Sequence, residues 1–304
     1  MKVFITGGSG FVGSNLTREL TKRGHQVSIL TRQAKSNTNL PTEATYVTGD
    51  PNAPGPWQKE IAGHDLIINL AGASIFTRWS AENKQKIRDS RINTTHHLVD
   101  ALEMAAPENR PKTLLSTSAV GFYGDHGDEL LTEETAAGDD FLARVAWAWE
   151  AEAERATDLG LRVVCCRFGI VLGKKGGALS KMLPLFKFGL GSPLGHGRQW
   201  FPWIHEKDLA GIFTFLVENP EIEGPVNCVS PNQVTNTELS QSLALQLGKK
   251  MFPLKVPAFA LKTIMGEMAS ILLSGQRVAP TQLDKAGYQF EFTKLNSALQ
   301  DIIG

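Results

Sequence analysis

Short apolar runs alternate with amphipathic stretches over the first half of the chain. The apolar runs predict strands near residues 2–6, 26–30, 45–48, 65–70, 112–117 and 162–167. Helical patterns lie between these strands, and such alternation is typical of an α/β fold with a doubly wound parallel sheet. After Gly169 the alternation ends, and residues 173–197 are rich in glycine, lysine and proline, which indicates a loop or lid.

The first predicted strand runs directly into a glycine-rich turn, T-G-G-S-G-F-V-G, which opens a helix predicted over residues 14–23. The backbone N–H groups at the start of such a helix have no partners within it, and they can hold a pyrophosphate. We therefore expect a Rossmann-type dinucleotide site, with an ordinary tight turn as the alternative. The predicted cofactor-binding residues of this turn are Gly7, Gly10, Phe11, Val12 and Gly13.

The residues after the second strand indicate which dinucleotide binds. NAD sites carry a carboxylate here for the ribose 2′-hydroxyl, whereas NADP sites carry a cation and small hydroxyl groups for the 2′-phosphate. The chain reads Thr31-Arg32, with Lys35 close behind and no acid in reach. NADP is therefore the expected cofactor, and an arginine that is merely solvated in a loop is the alternative.

The whole pattern predicts two unequal parts. We expect an NADP-binding Rossmann domain over residues 1–170 and a smaller mixed α/β substrate-binding lobe over residues 171–304, of which some strands and helices pack back on the first domain. The apolar segment 256–273 is interrupted by Lys262 and Glu267, so it predicts a packed helix rather than a membrane span. An exposed apolar face that serves a dimer is the alternative for this segment.

The charge balance and the cysteines limit which partners and which cellular compartment are expected for this chain. Lys+Arg and Asp+Glu number 31 each among 304 residues, so no overall charge attracts nucleic acid or an anionic membrane. The chain has three cysteines, of which Cys165 and Cys166 are adjacent in an apolar run. They form neither a disulfide framework nor a metal-ligand pattern, so we expect buried small side chains and no metal. A strand at the very start, with no leader before it, predicts a cytoplasmic protein.

Further motifs follow a family pattern. Gly49-Asp50 comes after the third strand, N-L-A-G at residues 69–72 after the fourth, and S-T-S-A ends the fifth. W-I-H-E-K-D-L-A lies at residues 203–210 in the second half of the chain. Together with the glycine turn, these motifs resemble the extended branch of the short-chain dehydrogenase/reductase superfamily, whose members include sugar-nucleotide epimerases and dehydratases.

The resemblance implies roles for individual residues. Asp50 would contact the adenine, Ser118 would be the catalytic serine at the end of the fifth strand, and Asn93 matches an asparagine of the helix bordering the active site. The residues that would pass under the nicotinamide ribose are Leu70, Ala71 and Gly72. A-G-A-S-I-F-T-R-W, S-A-V-G-F-Y-G, R-F-G-I-V-L-G and L-L-S-G-Q-R-V resemble a narrower group of epimerase-family, NADP-dependent oxidoreductases with an additional C-terminal segment.

The sequence departs from the superfamily in the helix that should carry its acid. The usual pair is a tyrosine followed four residues later by a lysine, a spacing that puts both side chains on one helix face. Residues 139–158 contain no tyrosine and no lysine, and the two positions fall near Val145 and Trp149. The helix is still expected, with an apolar stripe that includes these two residues and with Glu150 among its solvent-facing residues.

Three other side chains are candidates for moving a proton. Tyr123, in the loop after Ser118, offers a phenol, and the alternative is that its ring packs under the loop. Glu133 resembles an acid that shapes many active sites of the superfamily, with surface solvation as the alternative. His205 is a candidate because an imidazole with its ordinary pKa can act as an acid or a base near neutral pH, but the resemblance favours a structural hydrogen bond at the seam between the lobes.

Three arginines are candidates for binding the cofactor or the substrate. Arg78 follows A-G-A-S and would lie near the phosphate side of the dinucleotide. Arg91 precedes Asn93, and Arg167 ends a buried strand, where an unpaired charge is costly. An internal ion pair is the alternative for each of the three.

The residues and the resemblance together predict an NADP(H)-dependent oxidoreductase that acts on a small-molecule substrate, with Ser118 orienting the reacting oxygen. One alternative is an NADP(H)-binding sensor or regulatory protein without turnover. A second alternative is a nucleotide-sugar epimerase or dehydratase, although these reactions depend on the missing tyrosine and lysine. We expect no nucleic-acid partner and no membrane partner, and a homodimer is expected by analogy with the superfamily.

Overall fold

The computed structural model describes residues 1–33, 40–174 and 176–304. Within these residues the strands are β1 (Lys2–Thr6), β2 (Gln26–Thr31), β3 (Thr45–Thr48), β4 (Leu66–Asn69), β5 (Thr113–Ala119), β6 (Leu130–Leu131), β7 (Arg162–Phe168), β8 (Ile170–Gly173), β9 (Gly176–Gly177), β10 (Trp200–Phe201), β11 (Trp203–His205), β12 (Gly224–Cys228), β13 (Val234–Thr235) and β14 (Arg277–Val278). The helices are α1 (Phe11–Lys22), α2 (Ala81–Met104), α3 (Phe141–Glu154), α4 (Leu179–Lys187), α5 (Glu206–Glu218), α6 (Asn236–Gln246), α7 (Ala258–Met265), α8 (Ser270–Leu273), α9 (Thr281–Lys285) and α10 (Leu295–Ile303).

In the described part of the chain, seven parallel strands form the central sheet in the order β12-β7-β5-β4-β1-β2-β3. The six strands predicted from the apolar runs are confirmed, and with them the doubly wound α/β fold. The seventh strand, β12, comes from beyond residue 170 and pairs with β7, so part of the second half of the chain returns to this sheet. The domain boundary at residue 170 stays a prediction.

Helices cover both faces of the sheet, which is why the strands are apolar on both sides. Val3 of β1 packs with Leu16 of α1 on one face, where α5 also lies. Phe4, the next residue, packs with Leu98 of α2 on the other face. Because the strands are parallel, their carboxyl ends meet at one edge, where ligands of such sheets bind.

The adjacent cysteines of β7 follow the same alternation. Cys166 lies in the core beneath α1 and α5, whereas Cys165 lies in the core beneath α2. Both thiols are unpaired and buried, as predicted, and burial raises the pKa of each. They therefore serve as small apolar side chains.

The C-terminal segment folds over α5 through a buried aspartate. Oδ1 of Asp208 accepts the N–H of Glu291 at 2.7 Å, and Oδ2 accepts the N–H of Phe292 at 3.0 Å. The hydroxyl of Tyr288 donates to the carbonyl of Asp208 at 3.0 Å. These bonds fasten the end of the chain to a helix that itself packs on the central sheet.

The apolar segment 256–273 differs from the single packed helix predicted for it. It forms the short helices α7 and α8, separated at Gly266, whose φ of +62° ends α7. Leu261 and Met268 are buried, whereas Phe259 and Ile264 are exposed. No helix among the described residues is long and apolar enough to cross a membrane.

Candidate functional site

The glycine-rich turn holds the start of α1 against the end of β4. Gly7 has a φ of +69°, and a Cβ on it would lie 2.8 Å from the carbonyl carbon of Leu70. A Cβ on Gly13 would overlap the carbonyl oxygen of Gly7. The helix begins at Phe11, three residues before the predicted start, and Gly10 provides no side chain to cap it. No side chain caps the first turn of α1, and such a turn fits a pyrophosphate.

The ends of β2 and β3 lie side by side at the same edge of the sheet. The N–H of Gly49 donates to the carbonyl of Thr31 at 3.0 Å, which joins the turn carrying Asp50 to the turn carrying Arg32. The side chains of Arg32 and Asp50 are both exposed. Lys35, the other cation predicted here, lies outside the described residues. The structure thus brings an exposed cation and an exposed carboxylate to the rim where the adenosine half of a dinucleotide would lie.

A buried polar cluster fixes the segment after β4. The hydroxyl of Thr6 donates to Oδ1 of Asn69 at 2.7 Å. The N–H of Leu70 donates to the carbonyl of Thr6 at 3.1 Å, and the N–H of Ala71 donates to the Thr6 hydroxyl at 3.3 Å. Gly72 follows and is exposed. The three residues predicted to pass under the nicotinamide ribose therefore form a rigid segment beside the glycine turn.

An arginine cation lies against Gly72. The guanidinium carbon of Arg91 is 3.4 Å from the point that a Gly72 Cβ would occupy and 5.3 Å from the centre of the Trp149 ring. Nη1 of Arg91 donates to the carbonyl of Ile87 at 3.0 Å, and no carboxylate in the described ranges forms an ion pair with it. Burial lowers the pKa of Arg91 to about 10, so the group stays charged at neutral pH. Within the described residues it is a mostly buried cation without a counter-ion of its own.

Ser118, at the end of β5, is tied to a buried ion pair. Its hydroxyl donates to Oε1 of Glu150 at 2.5 Å. Arg167 binds the same carboxylate twice, from Nε to Oε1 at 2.9 Å and from Nη2 to Oε2 at 2.7 Å. All three side chains are buried. The prediction that Glu150 faces solvent is wrong, because Arg167 ends a buried strand next to α3 and a carboxylate must compensate its charge there.

The hydrogen bonds continue from Arg167 towards the C-terminal segment. Nη1 of Arg167 donates to the hydroxyl of Tyr123 at 2.9 Å, and that hydroxyl donates to Oδ1 of Asn227 at 2.7 Å. Oε1 of Glu133 accepts the N–H of Asn227 at 3.1 Å and the N–H of Gln282 at 3.2 Å. A buried network thus runs from the end of β5 through β7 and β12 to α9.

This network decides the surroundings of two proton-transfer candidates. Tyr123 is fully buried, and this burial is the main reason that the pKa of its phenol is raised. Its position therefore agrees with the alternative in which the ring packs under the loop. Glu133 is only 7% exposed, so the alternative of surface solvation is wrong. Its Oε1 accepts hydrogen bonds from two backbone N–H groups instead of from water. The roles of Ser118 and Tyr123 in proton transfer stay predictions.

His205 is a structural residue at the seam between β11 and the C-terminal segment. Its Nδ1 accepts the N–H of Lys207 at 3.1 Å and caps α5, and its ring stacks on Phe292 with centres 3.9 Å apart. Nε2 lies 3.3 Å from Oδ2 of Asp301. Burial lowers the pKa of His205 to about 4, so the ring is neutral at pH 7. The bond to Lys207 is structural, as the resemblance favours, but Lys207, Phe292 and Asp301 all lie within residues 171–304 and not at a seam between the two predicted parts.

Arg78 lies in the loop between β4 and α2, with its side chain exposed. Its carbonyl accepts Nδ2 of Asn83 at 2.8 Å, and the ring of the next residue, Trp79, packs edge-on against Phe141 of α3 with centres 5.1 Å apart. The loop is therefore fixed against α2 and α3. The contact of Arg78 with the phosphate side of a dinucleotide stays a prediction.

Packing fills the two positions of α3 that a tyrosine and a lysine would occupy. Val145 and Trp149 are buried, and Nε1 of Trp149 donates to the hydroxyl of Thr95 at 2.9 Å. The side chain of Asp140 caps the helix by accepting the N–H of Ala143 at 2.9 Å. The apolar stripe predicted for this helix is confirmed. The helix supports the site and supplies Glu150, which sequence reasoning did not place there.

The comparison with known proteins fits this architecture. The profile of the NAD dependent epimerase/dehydratase family matches residues 3–228. The chain belongs to this family. A domain of unknown function (DUF1731) matches residues 256–302, which include the part of the chain that folds over α5. The resemblance to the extended short-chain branch, with an additional C-terminal segment, is thereby confirmed.

Relatives in the family match the chain over its full length. The epimerase family protein YfhF of Bacillus subtilis (strain 168) is 39% identical and is covered to 98%, with 100% of this chain matched. The chloroplastic epimerase family protein SDR39U1 homolog of Arabidopsis thaliana is 38% identical and is covered to 87%, again with 100% of this chain matched.

Solved structures of the family show the same fold. The crystal structure of human epimerase family protein SDR39U1 (isoform2) with NADPH is similar with a TM-score of 0.87 at 35% identity, and the match covers 99% of each chain. The UDP-glucose 4-epimerase of Thermus thermophilus, in complex with NAD, has a TM-score of 0.79 at 18% identity, covering 100% of this chain and 98% of that one. At this lower identity the likeness concerns the fold alone.

Proposed function

We propose that this protein is an NADP(H)-dependent oxidoreductase of the extended short-chain type that acts on a small-molecule substrate. The observation that carries the proposal is the uncapped start of α1, where Gly7 and Gly13 admit no side chain. The exposed Arg32 at the end of β2 supports the phosphorylated form of the cofactor. The human relative was crystallised with NADPH, which supports the same choice.

The glycine turn and the rim after β2 and β3 bind the adenosine half of the cofactor. The pyrophosphate is held by the N–H groups of Phe11, Val12 and Gly13, at the positive end of the α1 dipole. Arg32 and the hydroxyl of Thr31 bind the 2′-phosphate, because a guanidinium offers several donors to one phosphate. The turn at Gly10 leaves room for the phosphates, and Asp50 contacts the adenine.

The opposite half of the cofactor lies over the segment that begins at Leu70. Ala71 and Gly72 pass under the nicotinamide ribose, and the absence of a side chain at Gly72 lets the ribose approach the backbone. Arg91 lies against Gly72, pairs with no carboxylate among the residues that the structure describes, and adds a positive charge on this side. Arg78 contributes a second cation from the neighbouring loop.

The cofactor, when bound, supplies or accepts a hydride at a carbon of the substrate. The oxygen bonded to that carbon must gain a proton in the reduction or lose one in the oxidation. Ser118 orients that oxygen after its hydroxyl rotates away from Glu150. Arg167 holds the Glu150 carboxylate in place, so the serine hydroxyl has a fixed acceptor to return to. Tyr123 offers a phenol near this network, but its hydroxyl is bound to Arg167 and Asn227, so the group that moves the proton is left unidentified in this proposal.

One observation favours a second candidate, an NADP(H)-binding sensor without turnover. Both hydroxyl groups predicted to be catalytic, those of Ser118 and Tyr123, are buried and already engaged in the Glu150–Arg167 network. A panel of small carbonyl compounds with NADPH separates the candidates. Cofactor consumption with one of them supports the oxidoreductase, and silence across the panel together with tight NADPH binding supports the sensor.

The cofactor assignment is tested by titrating NADPH and NADH into the unmodified chain and into Arg32→Ala. The unmodified chain binds NADPH more tightly, and Arg32→Ala weakens NADPH binding by about 10- to 100-fold while leaving NADH binding unchanged, since a charge-assisted hydrogen bond is lost only with the 2′-phosphate. Arg88→Ala, an exposed arginine of α2, serves as the control and leaves both affinities unchanged. An unaltered ratio in Arg32→Ala contradicts the assignment.

A further inference from the structure

Two stretches of the C-terminal half carry lysines and exposed apolar side chains but no acid. We call residues 179–190 and 249–264 together the lysine-apolar patch. Neither stretch contains Asp or Glu. The exposed lysines of the patch are Lys181, Lys187, Lys249, Lys250, Lys255 and Lys262. Among its apolar side chains, Phe188 is 81% exposed, Phe259 74% and Ile264 81%. Large apolar side chains that cluster in this way mark interaction surfaces.

The two stretches are connected through neighbouring segments of backbone. Residues 252–256 run beside residues 191–196, which continue directly from the first stretch. The N–H of Phe252 donates to the carbonyl of Gly191 at 2.9 Å, and the N–H of Val256 donates to the carbonyl of Pro193 at 3.1 Å. Nζ of Lys255 donates to the carbonyl of His196 at 2.9 Å. The apolar and basic side chains of both stretches therefore belong to a single region of the fold.

Helix α4 shows how the patch is built. Leu179 and Phe186 are buried and anchor the helix to the lobe. Lys181, Leu185 and Phe188 follow one another at spacings of four and three residues, so they share the face opposite to the anchors, and all three are exposed. A face that combines apolar and cationic side chains and points away from the protein is typical of helices that lie in a lipid interface.

We propose that the lysine-apolar patch binds an anionic lipid surface. The aromatic and aliphatic side chains enter the boundary between headgroups and acyl chains, while the lysines attract anionic headgroups. A second copy of the chain is a poorer occupant, because a symmetric contact would place the lysines of one copy against those of the other. An anionic membrane supplies the opposite charge and accommodates the apolar side chains as well.

The proposal departs from the expectation, drawn from net charge, that the chain has no membrane partner. Equal totals of acidic and basic residues describe the whole chain and conceal a local excess of lysine. The binding is peripheral, in agreement with the described helices, none of which can span a bilayer. The patch contains none of the residues assigned to the cofactor, so its occupation and NADP(H) binding are separate properties.

The test is co-sedimentation of the full chain with vesicles of phosphatidylcholine alone and of phosphatidylcholine mixed with phosphatidylserine. The chain sediments with the mixed vesicles, and added salt weakens the binding because it screens the headgroup charge. The variant Lys187→Gln, Lys250→Gln, Lys262→Gln loses on the order of 100-fold in partition coefficient. The matched control Lys22→Gln, Lys59→Gln, Lys285→Gln, at exposed lysines outside the patch, keeps the partition coefficient of the unmodified chain.

A second variant tests the apolar part of the patch. Phe188→Ser with Phe259→Ser lowers the partition coefficient at least about tenfold, because two large apolar side chains no longer enter the interface. Exposed Met104→Ser, on α2, is its control. Unchanged affinity for NADPH shows that each variant is folded.

Three outcomes overturn the proposal. The first is no binding to the phosphatidylserine vesicles, and the second is equal binding by the patch and control variants. The third is a dimer of the unmodified chain, seen by sedimentation at rising concentration without lipid, that the patch variants abolish. That last result makes a second copy of the chain the occupant of the patch.

Discussion

Arg167 is the residue around which the buried half of the candidate site is organised. Its guanidinium binds both oxygens of Glu150, donates to the hydroxyl of Tyr123 and lies 3.6 Å from the centre of the Phe122 ring. The sequence pointed to this arginine because it ends an apolar strand, where a lone charge is costly. It did not reveal the partner, since Glu150 lies on another element and its spacing on α3 matched a solvent-facing position.

Replacing Glu150 with glutamine is expected to destabilise the protein by about 3 kcal/mol, because the change leaves the Arg167 charge buried without a counter-ion. Urea unfolding monitored by circular dichroism measures this loss. Glu82→Gln is the control: Glu82 pairs with Lys86 on the exposed surface of α2 and its loss has little effect. Equal unfolding midpoints for Glu150→Gln and the unmodified chain would show that the buried pair is not needed for stability.

At the scale of elements, the start of α1 is the feature most fully predicted from sequence. The glycine spacing indicated a strand, a tight turn and a helix, and all three are present. The helix begins earlier than predicted. Phe11 and Val12, which the prediction assigned to the glycine-rich turn, already have helical backbone. The aromatic ring of Phe11 extends to Gly173 at the end of β8 and to Gly176 in β9, so these strands lie against the start of α1.

A methyl group at Gly13 tests whether this turn is the cofactor site. Gly13→Ala would push the start of α1 away from the Gly7 carbonyl and displace its first-turn N–H groups, so we expect NADPH affinity to fall by at least about tenfold. Calorimetric titration measures the affinity. Gly55→Ala, where the nearest atom to the new Cβ is 3.3 Å away in Trp57, is the control. Undiminished binding by Gly13→Ala would place the cofactor elsewhere.

At the scale of the whole molecule, the C-terminal segment is fastened to the sheet domain by groups that no local pattern connects. Asp208 and His205 lie more than 80 residues before Phe292 in the chain. Even so, Oδ2 of Asp208 accepts the N–H of Phe292, and the ring of His205 stacks on the ring of Phe292. The W-I-H-E-K-D-L-A motif marked both residues by resemblance alone. Their partners emerged only when the chain was folded, because contacts so distant in sequence depend on the path of every element between them.

The free energy of unfolding is expected to fall as the pH is lowered, because His205 is protonated more readily in the unfolded chain. Its pKa in the folded state is about 4, below the ordinary value of 6.5, so the unfolded chain takes up the proton first. The contribution of this histidine is therefore complete above pH 6.5 and declines between about pH 6.5 and pH 4, by an amount on the order of 3 kcal/mol. Other acids titrate in the same window, so the comparison requires a variant.

His205→Asn keeps an acceptor for the Lys207 N–H but cannot be protonated. Urea unfolding at pH 7, 6 and 5 is expected to give a shallower decline of stability for this variant than for the unmodified chain. Parallel declines would show that the histidine does not titrate with folding.

The extent of sequence prediction follows from how local each feature is. The strands of the central sheet and the glycine turn depend on neighbours a few residues apart, and these predictions are confirmed. The burial of Glu150 and Glu133 and the link from Tyr123 to Asn227 join residues far apart in sequence, so periodicity did not predict them. The proton donor escaped prediction for a related reason, because the helix that normally supplies it lacks both signature residues.

The central claim is that NADP(H) lies with its pyrophosphate on the first turn of α1. The most direct measurement is a crystal structure of the full chain grown with NADPH. We expect the pyrophosphate against the N–H groups of Phe11, Val12 and Gly13, the 2′-phosphate at Arg32, and the nicotinamide ribose over Gly72. A dinucleotide bound at any other surface, or crystals from saturating NADPH that show the glycine turn without it, would contradict the account.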